Sequence, residues 1–363
     1  MNLIFTSYAS APEYAEPKVW LKRIEGYTGI LEALSKMHNV TGIERINYKG
    51  ELELNGVRYY FIRLKKKIVR FPWRLHRLIK KLSPDVIFIN GFIFPLQIIQ
   101  LRLMLGREVK IIILHRSEKP FNGIKKLLQR LAWKCIDAIF FASHEFGEQW
   151  VKNGNIPNTK KVHEIIQASS VFHPFDKELS RNKLSVTGSP VFLWVGGLSS
   201  NKDPVTVIKA FIQFHDHYPN AMLYMIYQSN ELLPTLLHLL SDSKTDAIHL
   251  VGKVEHEALQ DWYSSADFIL SSSHYEGNGV AVCEGMSCGC IPVLTDIISF
   301  RKMTGGKCGL LFEHGNEKDL LATLLSTMQL DMDRERIKVL DHFQKELSFE
   351  AIARKINHVI GYP

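Results

Sequence analysis

The segment from Ala266 to Gly289 constrains the fold of this chain more than any other. It begins with the apolar run Ala266–Ser271, passes through the turn Gly277-Asn278-Gly279 and ends in VAVCEGMSCG. The run has the composition of a buried parallel strand, and the small and apolar residues at the end are typical of a helix packed on a sheet. A strand, a glycine turn and a helix in this order present backbone N–H groups at a helix start, where a phosphate is stabilised.

Two glutamates lie on either side of this turn. Glu276 comes directly before it, and Glu284 lies about two helical turns further on. The pair predicts a site for a charged, hydroxyl-rich molecule. The alternative for Glu276 is a carboxylate that only stabilises the helix dipole, and for Glu284 a solvated helix residue. The apolar neighbours of Glu284 argue for burial, and a buried carboxylate needs a partner.

Strand and helix patterns alternate along the rest of the chain, which predicts an α/β fold with mostly parallel sheets. Helices are expected at segments such as Arg74–Leu82 and Lys125–Lys134. Strands are predicted at Asn2–Thr6, Arg58–Leu64, Val86–Asn90, Lys110–Leu114, Ala138–Ala142, VFLWVGG from Val191, Met222–Ile226, Ile248–Val251, Phe268–Ser271 and Ile291–Leu294. Because ligands bind beyond the carboxyl ends of parallel strands, the residues just after these strands are the candidates for function.

Three motifs together resemble a known family. The glutamate pair followed by Cys290–Asp296 is similar to the donor-site signature of retaining glycosyltransferases of the GT-B fold, family 4 (glycosyl transferases group 1). VFLWVGGLSSNKDPVTVIKAF, residues 191–211, resembles the opening of the family's second domain, and IHLVGKVEHEALQDWYSSADF resembles its base-reading loop. The resemblance implies two Rossmann-like domains that face each other across a cleft.

The resemblance also implies a division of the chain. We expect an acceptor-binding domain at residues 1–170, a linker rich in Ser, Pro, Gly and charge at 171–190, and a donor-binding domain at 191–345. A last helix at 346–363 is expected to cross back to the first domain, as it commonly does in this family.

Roles follow for single residues. Glu276 would support the positive charge that develops on the transferred sugar, and His115, after a buried strand of the first half, would touch that sugar. Glu284 would bind the ribose diol, and Lys202 would neutralise the diphosphate. The remaining donor-binding residues are Gly196, Gly197, Gly252, Val254, Gly277, Asn278 and Gly279. Each has a structural alternative, since most lysines are solvated and most lone histidines are satisfied core residues.

Two positions depart from the family pattern. Gly197 stands where the family usually has an arginine, so that Arg116, Lys119 or the backbone N–H groups of Gly196–Ser199 would have to replace a phosphate-binding cation. The loop Ser7–Pro12 lacks the usual glycine pair, and an alternative is that it serves the acceptor.

Composition narrows the class of protein. With 363 residues, 46% of them hydrophobic and 23% charged, the chain is expected to be globular. It has no apolar run long enough for a membrane span and no signal-peptide pattern at Met1. Five unevenly spaced cysteines fit a reducing compartment, and the pair Cys288 and Cys290 is expected to be core rather than a metal site. We therefore predict a cytoplasmic protein.

The net charge of +8 has a local source in RLKKKIVRFPWRLHRLIKK, residues 63–81. Basic residues interleaved with Phe71 and Trp73 predict a peripheral contact with an anionic membrane, and a solvated helix face is the alternative. No nucleic-acid module is recognisable, so nucleic acid is not expected as a partner.

The expected activity is retaining, metal-independent transfer of a hexosyl group from a nucleotide diphosphate sugar to an acceptor hydroxyl. The acceptor would be a glycan or lipid-linked, as in cell-surface polysaccharide or glycolipid synthesis. The nucleotide sugar is a substrate, and no cofactor is expected. Two alternatives stay open: a nucleotide-sugar epimerase of the same fold, and a catalytically silent nucleotide-binding protein.

Overall fold

The computed structural model describes residues 1–63, 70–116, 118–243 and 245–361. The chain divides into two compact units. The first contains Met1–Gln167 together with the C-terminal segment from Phe349, and the second contains Ala168–Ser348. Each unit has one largely parallel sheet with helices, so the predicted α/β class with two Rossmann-like domains is confirmed.

The first unit has a sheet of eight strands in the order β3-β4-β2-β1-β5-β6-β7-β8. Only β3 runs antiparallel to its neighbour. The strand order reverses at β1, which pairs with β2 on one side and with β5 on the other. The elements are β1 (Asn2–Ser7), α1 (Pro17–Arg23), α2 (Glu25–Ser35), β2 (Asn39–Glu44), β3 (Gly50–Leu54), β4 (Val57–Phe61), α3 (Trp73–Lys81), β5 (Val86–Asn90), α4 (Pro95–Leu105), β6 (Lys110–Leu114), α5 (Gly123–Trp133), β7 (Ala138–Phe141), α6 (His144–Lys152) and β8 (Val162–Glu164).

The second unit has a sheet of six parallel strands in the order β11-β10-β9-β12-β13-β14. Here the order reverses at β9, which lies between β10 and β12. The elements are α7 (Lys177–Leu184), β9 (Val191–Gly196), α8 (Pro204–His217), β10 (Met222–Tyr227), α9 (Leu233–Ser243), β11 (Ile248–Gly252), α10 (Leu259–Ser265), β12 (Phe268–Ser271), α11 (Val280–Ser287), β13 (Ile291–Thr295), α12 (Ile298–Thr304), β14 (Leu310–Phe312), α13 (Glu317–Thr327) and α14 (Met332–His342).

The last helix, α15 (Phe349–Ile360), belongs to the core of the first unit. Its Ile352 and Ile356 are buried with the apolar residues of α2 and of the central strands. Gly29 of α2 lies directly under the ring of Phe349, where a Cβ would come within 2.6 Å of the ring atoms. His38 and Asn357 share a buried hydrogen bond of 2.9 Å. Apolar burial and this bond together hold α15 against α2.

The strands predicted from continuous apolar runs occur within a residue or two of their predicted ends. The strand predicted at Arg58–Leu64 ends at Phe61, and Leu64 lies outside the described residues. The prediction lacked four strands, β2, β3, β8 and β14. The first two carry charged residues at Glu44, Glu51 and Glu53, and the last two have only three residues each.

The segment that we expected to be a linker, residues 171–190, differs from that expectation because it contains α7. Two cations of α7 are paired with Asp267, which precedes β12. Lys177 Nζ lies 2.6 Å from one of its carboxylate oxygens, and Arg181 Nη2 lies 2.9 Å from the other. These ion pairs fix α7 to the second unit.

No helix in the described ranges is long and apolar enough to cross a membrane.

Candidate active site

The loop between β9 and α8 carries the predicted phosphate-binding residues. β9 ends at Gly196, and the turn that follows is closed by backbone hydrogen bonds from Lys202 N and Asp203 N to Ser199 O, of 3.0 and 3.1 Å. Asp203 then begins α8, because its carboxylate accepts from the N–H and the hydroxyl of Thr206. The turn places Lys202 one residue before the helix cap, at the carboxyl end of β9.

The loop after β12 is bound to this first loop. Ser272 Oγ donates to the carbonyl oxygens of Lys202 (2.6 Å) and Asp203 (2.9 Å). Asn201 Nδ2 donates to Tyr275 O (3.0 Å), and His274 N donates to Asn201 O (2.8 Å). Since β9 and β12 are neighbours at the point where the strand order reverses, the two loops meet at the position where parallel sheets bind their ligands.

Lys202 and Glu276 form an ion pair at this position. Lys202 Nζ contacts Glu276 Oε1, and Ser273 Oγ donates to the same oxygen from 2.8 Å. The two residues are 74 positions apart in sequence, and the side chain of Glu276 is only 15% exposed. The structure therefore brings together the residue predicted to bind phosphate and the residue predicted to face the sugar. Their opposite charges neutralise each other.

The glycine turn opens α11 as predicted. Gly279 is the residue before the helix, with φ of +55°, a value that favours glycine. A Cβ at this position would lie 2.9 Å from the ring of Phe300. Neither the backbone conformation nor the packing leaves room for a side chain, and no described side chain makes a capping hydrogen bond at this helix start.

Glu284 is buried within α11, and both of its carboxylate oxygens are hydrogen-bonded. His256 Nε2 donates to Oε1 and Tyr263 OH donates to Oε2, each at 2.9 Å. Burial, reinforced by the charge of Glu284, raises the pKa of Tyr263 well above its usual value, so the phenol stays a donor. The ring of His256 lies against Phe172, with centroids 4.9 Å apart. The solvated alternative for Glu284 is thereby removed.

Three residues at the site, His256, Tyr263 and Ser273, were not predicted from the sequence. His256 and Tyr263 lie within the third motif, residues 248–268, and the expectation that a buried Glu284 needs a partner was the signal that pointed to such residues. Ser273 had no comparable signal. The Ser273 hydroxyl donates to Glu276 only because of the path that the loop after β12 takes.

Two other predicted donor residues lie at the end of β11. Gly252 closes the strand with φ of +84°, and Val254 packs against the apolar core formed by β9, β10 and α10. No described side chain would lie within 4 Å of a Cβ on Gly252. The loop therefore offers open backbone beside a fixed apolar residue, which is a surface suited to a flat ring.

The described structure shows what an arginine at position 197 would meet. A Cβ built on Gly197 lies 2.8 Å from Ser229 Oγ, so the Ser229 side chain would have to move. Of the two cations considered as replacements, Lys119 is exposed. Arg116 donates from Nε and Nη2 to Asn90 Oδ1 (3.1 and 2.9 Å) within the first unit.

His115 follows β6 in the first unit and is buried. Its ring lies 4.2 Å from the ring of Phe141 and 5.4 Å from that of Trp150, measured between centroids. Its Nε2 is 3.1 Å from Glu118 O. Burial lowers its pKa, so the imidazole is neutral near pH 7. The surroundings are those of a well-packed residue, and its contact with a sugar stays a prediction.

All five cysteines are free, and Cys288 and Cys290 are fully buried in the core of the second unit, as expected. Burial raises the pKa of both thiols. Within the described ranges, no group of three or more His, Cys, Asp or Glu side chains is arranged to hold a metal ion.

A parallel α/β sheet with a glycine turn and a lysine–carboxylate pair at the reversal of strand order has its candidate site where doubly wound α/β proteins bind their ligands. Residues 176–339 match the family model for glycosyl transferases group 1. The chain is therefore a glycosyltransferase, and the matched residues make up most of its second unit.

Individual proteins agree with this assignment. The chain is 24% identical over 281 residues to alpha-monoglucosyldiacylglycerol synthase of Acholeplasma laidlawii, covering 69% of each chain. It is 25% identical over 277 residues to the lipopolysaccharide core biosynthesis mannosyltransferase LpsB of Rhizobium meliloti (strain 1021), covering 71% of this chain and 74% of that one. The structure of HepE from Anabaena in complex with UDP and glucose covers 99% of both chains with a TM-score of 0.68 and 13% identity. That structure shares the GT-B fold.

Proposed function

We propose that this enzyme transfers a hexosyl group, with retention of configuration, from a nucleotide diphosphate sugar to an acceptor hydroxyl. The observation that carries the proposal is the Lys202–Glu276 pair at the carboxyl ends of β9 and β12, beside the open helix start at Gly279. A cation and free N–H groups at one point suit a diphosphate leaving group, whose negative charge grows as the glycosidic bond breaks.

Lys202 would exchange partners during the reaction. In the ligand-free protein its ammonium is neutralised by Glu276, whose Oε1 also accepts from Ser273. A diphosphate carries more negative charge than one carboxylate, so it would draw Lys202 away. Glu276 would then be left with the Ser273 hydroxyl, and its charge would be available to the positive anomeric carbon of the transition state.

Glu284 would bind the ribose. A carboxylate has about four lone-pair positions, so its bonds to His256 and Tyr263 leave room for the two hydroxyl groups of a diol. These two residues would fix the carboxylate in one orientation. The base would then lie over the loop of Gly252 and Val254, where the backbone is open.

Lys202 and the N–H groups of the two turns supply the positive charge that a metal ion would otherwise provide, and we propose that no metal or other cofactor takes part. Adding a chelator should leave the rate of transfer unchanged. Loss of activity that magnesium or manganese restores would contradict this part of the proposal.

The acceptor is proposed to be a glycan or a lipid-linked sugar of cell-surface polysaccharide or glycolipid synthesis, in keeping with the names of the two relatives. We further propose that the protein is cytoplasmic and contacts the membrane surface through residues 63–81, of which 64–69 lie outside the described residues. In α3 and just before it, Phe71 and Trp73 are 51% and 53% exposed. The cations on this exposed side are Arg74, Arg77, Lys80 and Lys81. This composition suits an anionic headgroup region.

A direct test uses the purified chain with UDP-glucose and GDP-mannose as donors and a lipid extract as acceptor. We expect turnover only with an acceptor, and an α-linked product by NMR from an α-linked donor. A β-linked product would overturn retention. Epimerised donor without acceptor would favour the epimerase, and nucleotide binding without any turnover would favour a silent protein.

The membrane contact needs its own measurement. Sedimentation with phosphatidylglycerol vesicles should recover the parent protein, and Trp73→Ala should bind less. Leu103→Ala is a matched control, since Leu103 is 81% exposed on α4 of the same unit. Equal vesicle binding by the parent and the Trp73 variant would contradict the assignment of this surface.

A further inference from the structure

The first unit contains a cavity of about 290 Å³ at the place in its sheet that corresponds to the donor site in the second. It lies at the carboxyl ends of β1, β2 and β5, where Ser7, Glu44 and Asn90 line it. The strand order reverses at β1, so the cavity occupies the position at which open parallel sheets bind ligands. Every residue that lines it belongs to the first unit.

Arg45 lines this cavity and has hydrogen-bond donors without acceptors. The residue is only 4% exposed, and its Nη1 donates to the carbonyl oxygen of Tyr8. Its Nε and Nη2 are buried and have no partner among the residues that the structure describes. Leaving a buried charged donor unpaired is costly, so an anion that enters the cavity beside Arg45 would be stabilised by a charge that no described carboxylate neutralises.

A second guanidinium, that of Arg116, lines the same cavity in a fixed orientation. Its Nε and Nη2 donate to Asn90 Oδ1, and its Cζ lies 5.1 Å from the centre of the Tyr27 ring. Both contacts hold the side chain in place, and the nearby carboxyl groups of Glu118 and Glu44 offset part of its positive charge. Planar guanidinium groups match the oxygens of a phosphate better than any other side chain.

Glu44 is the acidic side chain that lines the cavity, and it is not a full counter-charge. Trp20 Nε1 donates to its Oε2 from 2.9 Å. Burial raises the pKa of Glu44 to about 7, which the indole hydrogen bond and Arg116 only partly offset. At neutral pH the carboxyl is therefore protonated for a large fraction of the time. Among the residues that line the cavity, Glu44 is therefore at most a partial counter-charge to two arginines. Glu118, which is not a lining residue, is engaged by the backbone N–H groups of Phe92 and Arg116.

We propose that this cavity binds a phosphate group of the acceptor, with Arg45 and Arg116 as its ligands. The inference rests on the proposed function, because it names the chemistry of the molecule that receives the sugar. The volume suits a headgroup-sized fragment rather than a whole glycan. The phosphate could belong to a lipid headgroup or to a soluble sugar phosphate, and both would make the same contacts.

Calorimetry on the full chain tests the proposal with glycerol 3-phosphate and inorganic phosphate as soluble probes, and with phosphatidylglycerol against phosphatidylcholine vesicles. Arg45→Met should weaken the phosphate probes about 10-fold or more, since a hydrogen bond to a charged group is lost. Arg116→Gln should do the same, and Glu44→Gln should tighten them. Arg58→Met is the matched control, an exposed arginine on β4 that should change nothing.

Binding of the soluble probes assigns the site to phosphate esters in general, and binding of phosphatidylglycerol alone assigns it to a lipid headgroup. If Arg45→Met does not fold, the other two variants still test the proposal, because Arg116→Gln should weaken phosphate binding and Glu44→Gln should tighten it. The proposal is overturned if no probe binds, if acetate binds as tightly as phosphate, or if the arginine variants bind like the parent. UDP affinity, measured in parallel, belongs to the second unit, so its loss would instead count against the proposed function.

Discussion

The two units have the same central arrangement and treat charge in opposite ways. Each sheet reverses its strand order next to one central strand, and each has a candidate site there. In the second unit Lys202 and Glu276 satisfy each other, so a ligand must compete with an internal partner. In the first unit, Arg45 has buried donors without acceptors among the described residues. A negatively charged ligand would therefore not have to displace an internal partner from this guanidinium. The same topology therefore provides one site whose charged side chains neutralise each other and one site whose arginine has no such partner in the described part of the chain.

The largest effect should come from Glu276→Gln. We expect transfer to fall roughly 100-fold to 1,000-fold, because a preorganised charge at the transition state is lost. UDP should bind as tightly as before or more tightly, since Lys202 no longer has a carboxylate partner. Steady-state kinetics and calorimetry check both effects, with Glu178→Gln, exposed on α7 of the same unit, as control. Transfer at the parent rate would remove Glu276 from catalysis.

Glu44→Gln tests the first unit through stability. The pKa of Glu44 is about 7 in the folded protein and 4.5 when unperturbed, so the folded state binds more protons between these values. Stability is therefore lost as the pH rises from about 4.5 to 7, and this amounts to about 3 kcal/mol above pH 7. The glutamine variant should be more stable than the parent at pH 8 and equal to it at pH 4.

Denaturation with urea at both pH values measures this difference. Glu51→Gln on β3, where the side chain is exposed, should follow the parent at both. If Glu44→Gln has the same free energy of unfolding as the parent at both pH values, ionisation of Glu44 costs little. The carboxylate would then offset more of the positive charge in the cavity than we infer.

A smaller effect is expected from Lys202→Ala. UDP affinity should fall about 30-fold, while uridine, which carries no phosphate, should bind nearly as before. Calorimetry with the two ligands separates them, and Lys209→Ala, exposed on α8, is the control. Equal losses for UDP and uridine would mean that Lys202 acts only by holding the loops together.

The smallest effect should be that of Glu284→Ala, about 10-fold on uridine and UDP alike, because the ribose is common to both. His256→Ala should cost less, since Tyr263 still holds the carboxylate. Uridine binding that is unchanged in Glu284→Ala would show that the buried cluster is structural only.

Most strands of the second unit and the loops that follow them could be predicted because each lies in one short stretch of sequence. The apolar runs of β9 and β12 predict strands, and each run is followed directly by residues of the candidate site. No local pattern predicts the contact between Lys202 and Glu276, because that contact depends on β9 and β12 being neighbours in the sheet. Strand order is a property of the whole chain.

The first unit shows the limit of the same reasoning. Its cavity is assembled from β1, β2, β5 and the residues after β6, and β2 was not predicted at all. NVTGIE lacks the continuous apolar run of the other buried strands, although five of its six residues are buried. Without that strand, Glu44 and Arg45, two of the three charged side chains that line the cavity, were not predicted. Arg116 was a candidate because it directly follows a predicted strand and because Gly197 stands where a cation was expected.

The return of α15 to the first unit has a consequence for how the chain is made. Ile352, Ala353, Ile356 and Ile360 of this helix complete a core whose other buried members lie within the first 167 residues. During synthesis, the core of the first unit therefore stays incomplete until all of the second unit has left the ribosome. The second unit is continuous and has every one of its strands before Phe349 appears, so it is free to fold first. A nascent chain stopped before α15 should therefore hold a protease-resistant second unit joined to a first unit that is still cleavable.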